Sequence, residues 1–190
     1  MEWEWSLVDP LLDVEEIILL CDENYGPESE GFLTRDRGLY RKNLTVAAAY
    51  QKFDRSREFL AVAKTVPGYK RVVHDGFVDL VTAKPEIIGF CWFDRGGFTT
   101  YAPEEISNAK FHHVRLDLSP RLRVRLINEM IDQHILWAGD WGVPVICSTS
   151  IRGEHSAFMR IHEKRGFKVH GSYAWIRTKD GLEWMKSQQK

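Results

Sequence analysis

The chain has 190 residues, 44% of them apolar and 28% charged, with a formal net charge of −1. This is the make-up of an ordinary globular protein, long enough to bury a core as a single domain over residues 1–190. So small a net charge removes the global electrostatic case for nucleic acid or an anionic membrane as partner, and the apolar stretches are too short to span one.

The opening Met1-Glu-Trp-Glu-Trp5 is too acidic and too short in apolar run for a secretory leader. Cys21, Cys91 and Cys147 are far apart, each inside an apolar run, with no CxxC pair. They read as reduced, buried thiols, which suits a cytoplasmic setting. The histidines show no metal-ligand spacing.

In chain order, Trp3–Val8 alternates apolar and polar residues as a strand does, and Asp9-Pro10 breaks it. Asp13 is placed to cap a helix over Val14–Asp22, with Val14, Ile17, Ile18 and Cys21 at helical spacing. Glu23–Gly38 is polar and glycine-rich, a loop. Tyr40–Ser56 returns to helical period, with Leu44, Ala47, Ala48 and Gln51 on one side. Arg57–Val66 reads as a strand, Val72–Leu80 as part of a hairpin, and Ile87–Asp94 as a strand ended by Arg95-Gly96-Gly97. Phe98–Ala109 reads as a connecting loop.

Lys110–Leu118 is the next strand and runs into Ser119-Pro120, a helix-start signal. The helix that follows carries a stripe of Leu122, Leu126, Met130, Ile131, His134, Ile135 and Ala138, with Gly139 as its expected stop. Val143–Thr149 is a strand, Ser156–Lys164 a short helix ending at Arg165-Gly166-Phe167, and Tyr173–Ile176 a final strand. Strands alternating with helices in this order predict an α/β domain: a mixed, mostly antiparallel twisted sheet of six or seven strands with helices on both faces.

The order from Lys110 to Ile176, with Gly166-Phe167 after Glu163-Lys164, resembles the acyl-CoA-binding half of the GNAT acetyltransferase superfamily. The resemblance implies an N-acyltransferase that moves an acetyl group from acetyl-CoA to an amine by direct attack. It implies that the CoA pyrophosphate lies on backbone N–H groups where the central strand meets its helix, a place with open donors and partial positive charge. The family pattern there is Arg/Gln-x-x-Gly-x-Gly/Ala. Here Pro120-Arg121-Leu122-Arg123-Val124-Arg125-Leu126-Ile127-Asn128 stands in its place, with no glycine in either register.

Two readings of that stretch stay open. In one, Arg121, Arg123 and Arg125 replace backbone access with side-chain charge, guanidinium being well matched to phosphate. In the other they are a solvated helix face, and Leu122, Val124 and Leu126 close the site. The resemblance places Leu116, Leu118, Arg121, Arg123, Val124, Arg125, Leu126 and Ser156 at the cofactor. Ser156 is equally a helix N-cap.

The same resemblance assigns protonation of the leaving thiolate to the helix residue four before Gly-Phe, here His162, whose unperturbed pKa of about 6.5 suits the task. Asp117, on the central strand between Leu116 and Leu118, is a candidate general base, as are Asp94, Glu104 and Glu105. The acceptor side is implied to lie along Glu23–Leu39, with Tyr25, and along Phe98–Ala109, with Tyr101, Glu104 and Glu105, whose carboxylates suit a cationic amine. The acceptor is expected to be a small-molecule or protein amine. The glycine-free loop equally fits a GNAT-like module without acyl chemistry, a structural or assembly component that binds a protein partner.

Overall fold

A computed structural model of the chain describes residues 1–24, 36–74, 77–99, 102–149 and 156–169. Two compact units are distinguished, one made of Met1–Asn24 and Arg37–Ser148, the other holding the helix at Ser156–Lys164.

The first unit runs β1 (Trp3–Leu7), α1 (Val14–Asn24), α2 (Arg37–Tyr50), β2 (Glu58–Thr65), β3 (Tyr69–His74), β4 (Phe77–Thr82), β5 (Ile87–Thr99), β6 (Ala102–Val114), α3 (Pro120–Asp140) and β7 (Val145–Ser148). Five strands form one sheet in the order β1-β2-β5-β6-β7, and β3 and β4 form a separate ribbon. All neighbours are antiparallel except β6 and β7, which are parallel. The mixed, mostly antiparallel sheet is thus present, with its seven described strands divided between two sheets. The expected strand at Tyr173–Ile176 lies outside the described residues.

Alternation along the central strands decides which helix covers which face. Leu60 and Val62 of β2 and Phe90 and Trp92 of β5 pack with Ile17, Ile18, Leu44 and Ala48 of α1 and α2. Their neighbours Ala61, Ala63, Cys91 and Phe93 face the other way, against Leu126, Met130 and Trp137 of α3. Two polar groups are built into this core. Gln51, fully buried, donates to Leu60 O at 3.1 Å and accepts from Leu60 N at 2.9 Å, where β2 has just begun. Ser107 Oγ and His134 Nε2 lie 2.6 Å apart, and the His134 ring stacks on Phe93 with centroids 4.1 Å apart.

Several boundaries differ from expectation, each for a local reason. Glu23 and Asn24 belong to α1, and Gly38 lies inside α2. Arg95-Gly96-Gly97 does not end β5. The ladder slips there, with Gly96 at φ 141°, so the extra residue is absorbed as a bulge and pairing continues to Thr99. The expected loop Phe98–Ala109 is therefore largely hairpin. Gly139 does not stop α3 either. Gly142, at φ 64°, does so: its N–H reaches Gly139 O and the Val143 N–H reaches Ala138 O, the paired bonds of a Schellman cap.

Candidate functional site

Strand β6 is irregular at one point, and that point shapes the site. Across the β5–β6 ladder Trp92 pairs with Phe111 and Phe93 with Ala109, leaving Lys110 as an unmatched bulge residue. On the other edge, β7 pairs with β6 from Ile106↔Val145 to Ala109↔Ser148 and pairs no further. Beyond the bulge, Lys110–Val114 is hydrogen-bonded as a strand on its β5 side only, among the described residues. An edge of this kind presents backbone N–H and C=O groups to whatever lies beside it. One of them, Val114 O, is taken by the buried Asn24 Nδ2 at 2.9 Å.

The strand ends at Val114, not Leu118, so Leu116, Asp117 and Leu118 occupy the turn that leads to α3. The expected alternation fails there. Leu118 is buried in the core below α3 while Leu116 is exposed. Arg115 causes this: it grips both oxygens of Asp117, at 2.9 and 2.6 Å, and Glu86 at 2.6 Å, folding the chain back on itself. The guanidinium beside it holds the exposed Asp117 carboxyl below the usual carboxylate range.

Ser119 caps α3, its hydroxyl accepting from Leu122 N at 3.4 Å and its carbonyl from Arg123 N at 3.1 Å. Pro120 has no N–H to offer, so the Arg121 amide is the first open donor of the helix. Arg121 is exposed, and Arg123 is half-buried with its Nε unpartnered among the described residues. Of the aliphatic side chains here, Leu126 is fully buried and Leu122 packs on the same core, whereas Val124 stays at the surface.

Arg125 is committed elsewhere. It bonds Glu129 Oε1 at 2.9 Å and lies over the Trp3 ring, 4.2 Å from its centroid. Glu129 Oε2 in turn accepts from the indoles of Trp3 and Trp5 at 2.7 and 2.9 Å. The three arginines thus divide: two sit at the helix mouth, and the third anchors α3 to β1.

In the second unit, described by itself, α4 (Ser156–Lys164) starts at the exposed Ser156. Its end is another Schellman cap. Gly166, at φ 85°, lets Gly166 N reach Glu163 O and Phe167 N reach His162 O. The Gly-Phe pair therefore has a structural cause, because Phe167 closes edge-on against the His162 ring, with centroids 5.0 Å apart. His162 is buried and its Nδ1 lies 3.0 Å from Phe158 O. A carbonyl only accepts, so Nδ1 carries the proton. Burial pushes the His162 pKa below its ordinary value, only partly offset by that hydrogen bond.

On the acceptor side, Tyr25 and Tyr101 lie outside the described residues, and Glu104 is in β6 with its side chain undescribed. Glu105 is bridged at 2.5 Å by each of two guanidiniums, those of Arg57 and Arg95. These hold its carboxyl low and already satisfy it. Nearby, a cavity of about 450 Å³ opens between α2 and strands β2, β5 and β6, with Trp92, Asp94 and the bulge residue Lys110 among its walls. Apart from Asp94, sequence pattern does not mark these residues, because the bulge that presents Lys110 follows no period.

No protein-family model matches the chain, and neither does any curated protein sequence. Solved structures do match. A predicted acetyltransferase with acetyl-CoA from Clostridium acetobutylicum superposes with a TM-score of 0.60 at 12% identity, over 94% of this chain and 98% of that one. The aminoglycoside 6'-N-acetyltransferase of Acinetobacter baumannii gives 0.59 at 8% identity over 93% and 98%. Glucosamine-6-phosphate N-acetyltransferase from Arabidopsis thaliana gives 0.58 at 8% identity over 94% and 99%. With the strand order and the one-sided opening of β6 in view, the conclusion is that this chain has the GNAT acetyltransferase fold.

Proposed function

We propose that the protein is an N-acyltransferase that moves an acetyl group from acetyl-CoA to a small-molecule amine by direct attack, acting as one GNAT-like domain over residues 1–190. The observation that carries this reading is the end of β6–β7 pairing at Ala109/Ser148, one residue before the Lys110 bulge. Among the described residues it leaves a strand edge that leads to the N-terminus of α3. The solved neighbours whose names state aminoglycoside or glucosamine-6-phosphate N-acetylation support an amine acceptor of small size.

The residues fit the cofactor in part. The half-buried Arg123 has an orphaned Nε, and Arg121 offers an open amide and an exposed guanidinium beside it. These would hold the diphosphate, while Leu122 and Leu126 pack onto the sheet rather than into the mouth. Arg125 is outside the set because Glu129 and Trp3 hold it. Leu118 can offer only its backbone, and Leu126 is outside the set, since both side chains are core and the Leu126 N–H lies inside the helix. When bound, acetyl-CoA supplies an acetyl group activated as a thioester.

The chain's own part is orientation and proton control. Backbone N–H groups of Lys110–Val114 are the donors available to polarise an acyl carbonyl along the open edge. Asp117 is a weak base, tied to Arg115 and held acidic; the attacking amine therefore gives its proton to solvent. At neutral pH His162 is mainly uncharged with its proton directed to Phe158 O, so as the thiolate's acid it acts only in its minority protonated form.

Calorimetric titration with CoA and acetyl-CoA tests the reading. Micromolar affinity, reduced by Arg121→Ser with Arg123→Ser, is expected. Undetectable binding at millimolar CoA would overturn it.

A further inference from the structure

The bulge in β6 carries a side chain that crosses the sheet. Ser107 and Ala109 face α3, whereas Phe111 packs with Trp92 on the α1–α2 side. Regular alternation from Ala109 would send Phe111 back toward α3. The extra residue prevents this. Lys110 and Phe111 share the α1–α2 face, and Lys110 Nζ lies over the Trp92 ring, 4.6 Å from its centroid.

From there the ammonium reaches Asp94 of β5 at 3.0 Å and Glu58 of β2 at 3.1 Å. Glu58 and Asp94 are direct partners in the β2–β5 ladder. Like charges opposite one another in an antiparallel pair repel, so this pairing needs a cation between them. Lys110 supplies it from a third strand, and one ammonium ties β2 and β5 to the irregular point of β6. All three side chains are half-buried, where water screens charge less than at the surface. The two carboxylates outweigh the burial of the ammonium and hold its pKa above the ordinary lysine value.

The bulge controls the direction of the backbone beyond it. Arg115 N donates to Ile88 O at 3.0 Å, which makes Gly89 and Val114 a pair without mutual hydrogen bonds. The N–H and C=O of Val114 therefore point away from β5, in keeping with the bond from Asn24 Nδ2 to Val114 O. Those of His112 point the same way, whereas Phe111 and His113 turn theirs to β5. A slip of one residue would exchange the two sets and reverse the side chains.

We propose that Lys110 is a positioning residue for the acyl site: latched by Glu58 and Asp94, it fixes the bulge and so determines that the N–H groups of His112 and Val114 are aimed at the edge of β6. The consequence for an acyl carbonyl rests on the acyltransferase reading; the latch itself does not.

Two measurements on the full chain test this, with Lys110→Met, Lys110→Arg and Glu58→Gln. Without ligand, amide hydrogen exchange is followed at Phe111 and His113. Lys110→Met leaves two carboxylates face to face and is expected to speed exchange there about tenfold or more. Lys110→Arg keeps the cation and Glu58→Gln keeps one ion pair, so both are expected to stay within about threefold of the parent. Acetyl-CoA labelled with carbon-13 at the acyl carbonyl is then added to saturation. Its bound carbonyl resonance is expected to be displaced from the free position in the parent and in Lys110→Arg. In Lys110→Met most of that displacement is lost, which a general loss of stability would not produce once the site is full. Unchanged exchange in Lys110→Met overturns the latch, and an undiminished carbonyl displacement overturns the positioning role. Should Lys110→Met fail to fold, Glu58→Gln with Asp94→Asn releases Lys110 without leaving like charges, and both effects are expected in smaller measure; unchanged values there overturn the proposal. If the parent binds no acetyl-CoA, the acyltransferase reading and the positioning role fail together, while the exchange comparison still decides the latch.

Discussion

Replacing Glu129 tests how α3 is fixed to the sheet. Its carboxylate receives two indole N–H groups, from Trp3 and Trp5, at 2.7 and 2.9 Å, and the Arg125 guanidinium at 2.9 Å. Hydrogen bonds to a charged group contribute about 1.5–3 kcal/mol when buried. These are half-buried, so the lower end applies to each indole, and the exposed i,i+4 pair with Arg125 adds about 0.3–0.5 kcal/mol. Glu129→Ala is expected to cost about 3–3.5 kcal/mol, and Glu129→Gln, which keeps an acceptor but loses the charge, about 1 kcal/mol. Urea denaturation followed by far-ultraviolet circular dichroism reads both, since indole fluorescence would itself change. In a Trp3→Phe, Trp5→Phe background the Ala substitution should cost far less. The pH dependence has a defined sign. Burial pushes the Glu129 carboxyl up, but the Trp5 and Trp3 N–H groups and Arg125 outweigh burial and hold it low. Its stabilisation is therefore present above the ordinary carboxylate pKa and lost as pH falls through the folded value, so parent and Gln variant converge in acid. An Ala variant within about 0.5 kcal/mol of the parent would refute the reasoning.

Three further outcomes are expected. Gln51→Leu leaves the Leu60 N–H buried without its acceptor and should cost about 2–3 kcal/mol by the same denaturation assay. Gly166→Ala forces an alanine to φ 85° with nothing crowding its methyl, so it should cost about 1–2 kcal/mol through backbone strain alone. The His162 ring should titrate by NMR below about 6.5, because burial disfavours its charged form; stability from the neutral ring is present above the unfolded pKa and lost as pH falls through the folded one.

Much of the fold was legible because helices and strands with one buried face repeat their apolar residues at fixed periods. Leu60, Val62, Leu126 and Met130 are core as their spacing requires. What resisted reading lies where the backbone leaves its period. The bulges at Lys110 and Gly96 shift registers without changing composition, so a hairpin looked like a loop. Asp117 looked like a strand residue because the Arg115 clamp that curls the chain acts through side chains two apart. The arginine run invited one role for three residues, yet Arg125 faces Trp3, a partner 122 positions away in sequence that no local pattern reveals. The Gly-Phe ending was visible at once, and its meaning, a Schellman cap closed on His162, required coordinates.

Amide hydrogen exchange, compared with and without acetyl-CoA, tests the central claim most directly. Slowed exchange confined to Lys110–Val114 and to the first turn of α3, at Arg121 and Leu122, is the predicted footprint. No slowing at millimolar acetyl-CoA, or slowing that spares both segments, would contradict a cofactor site at the open edge of β6.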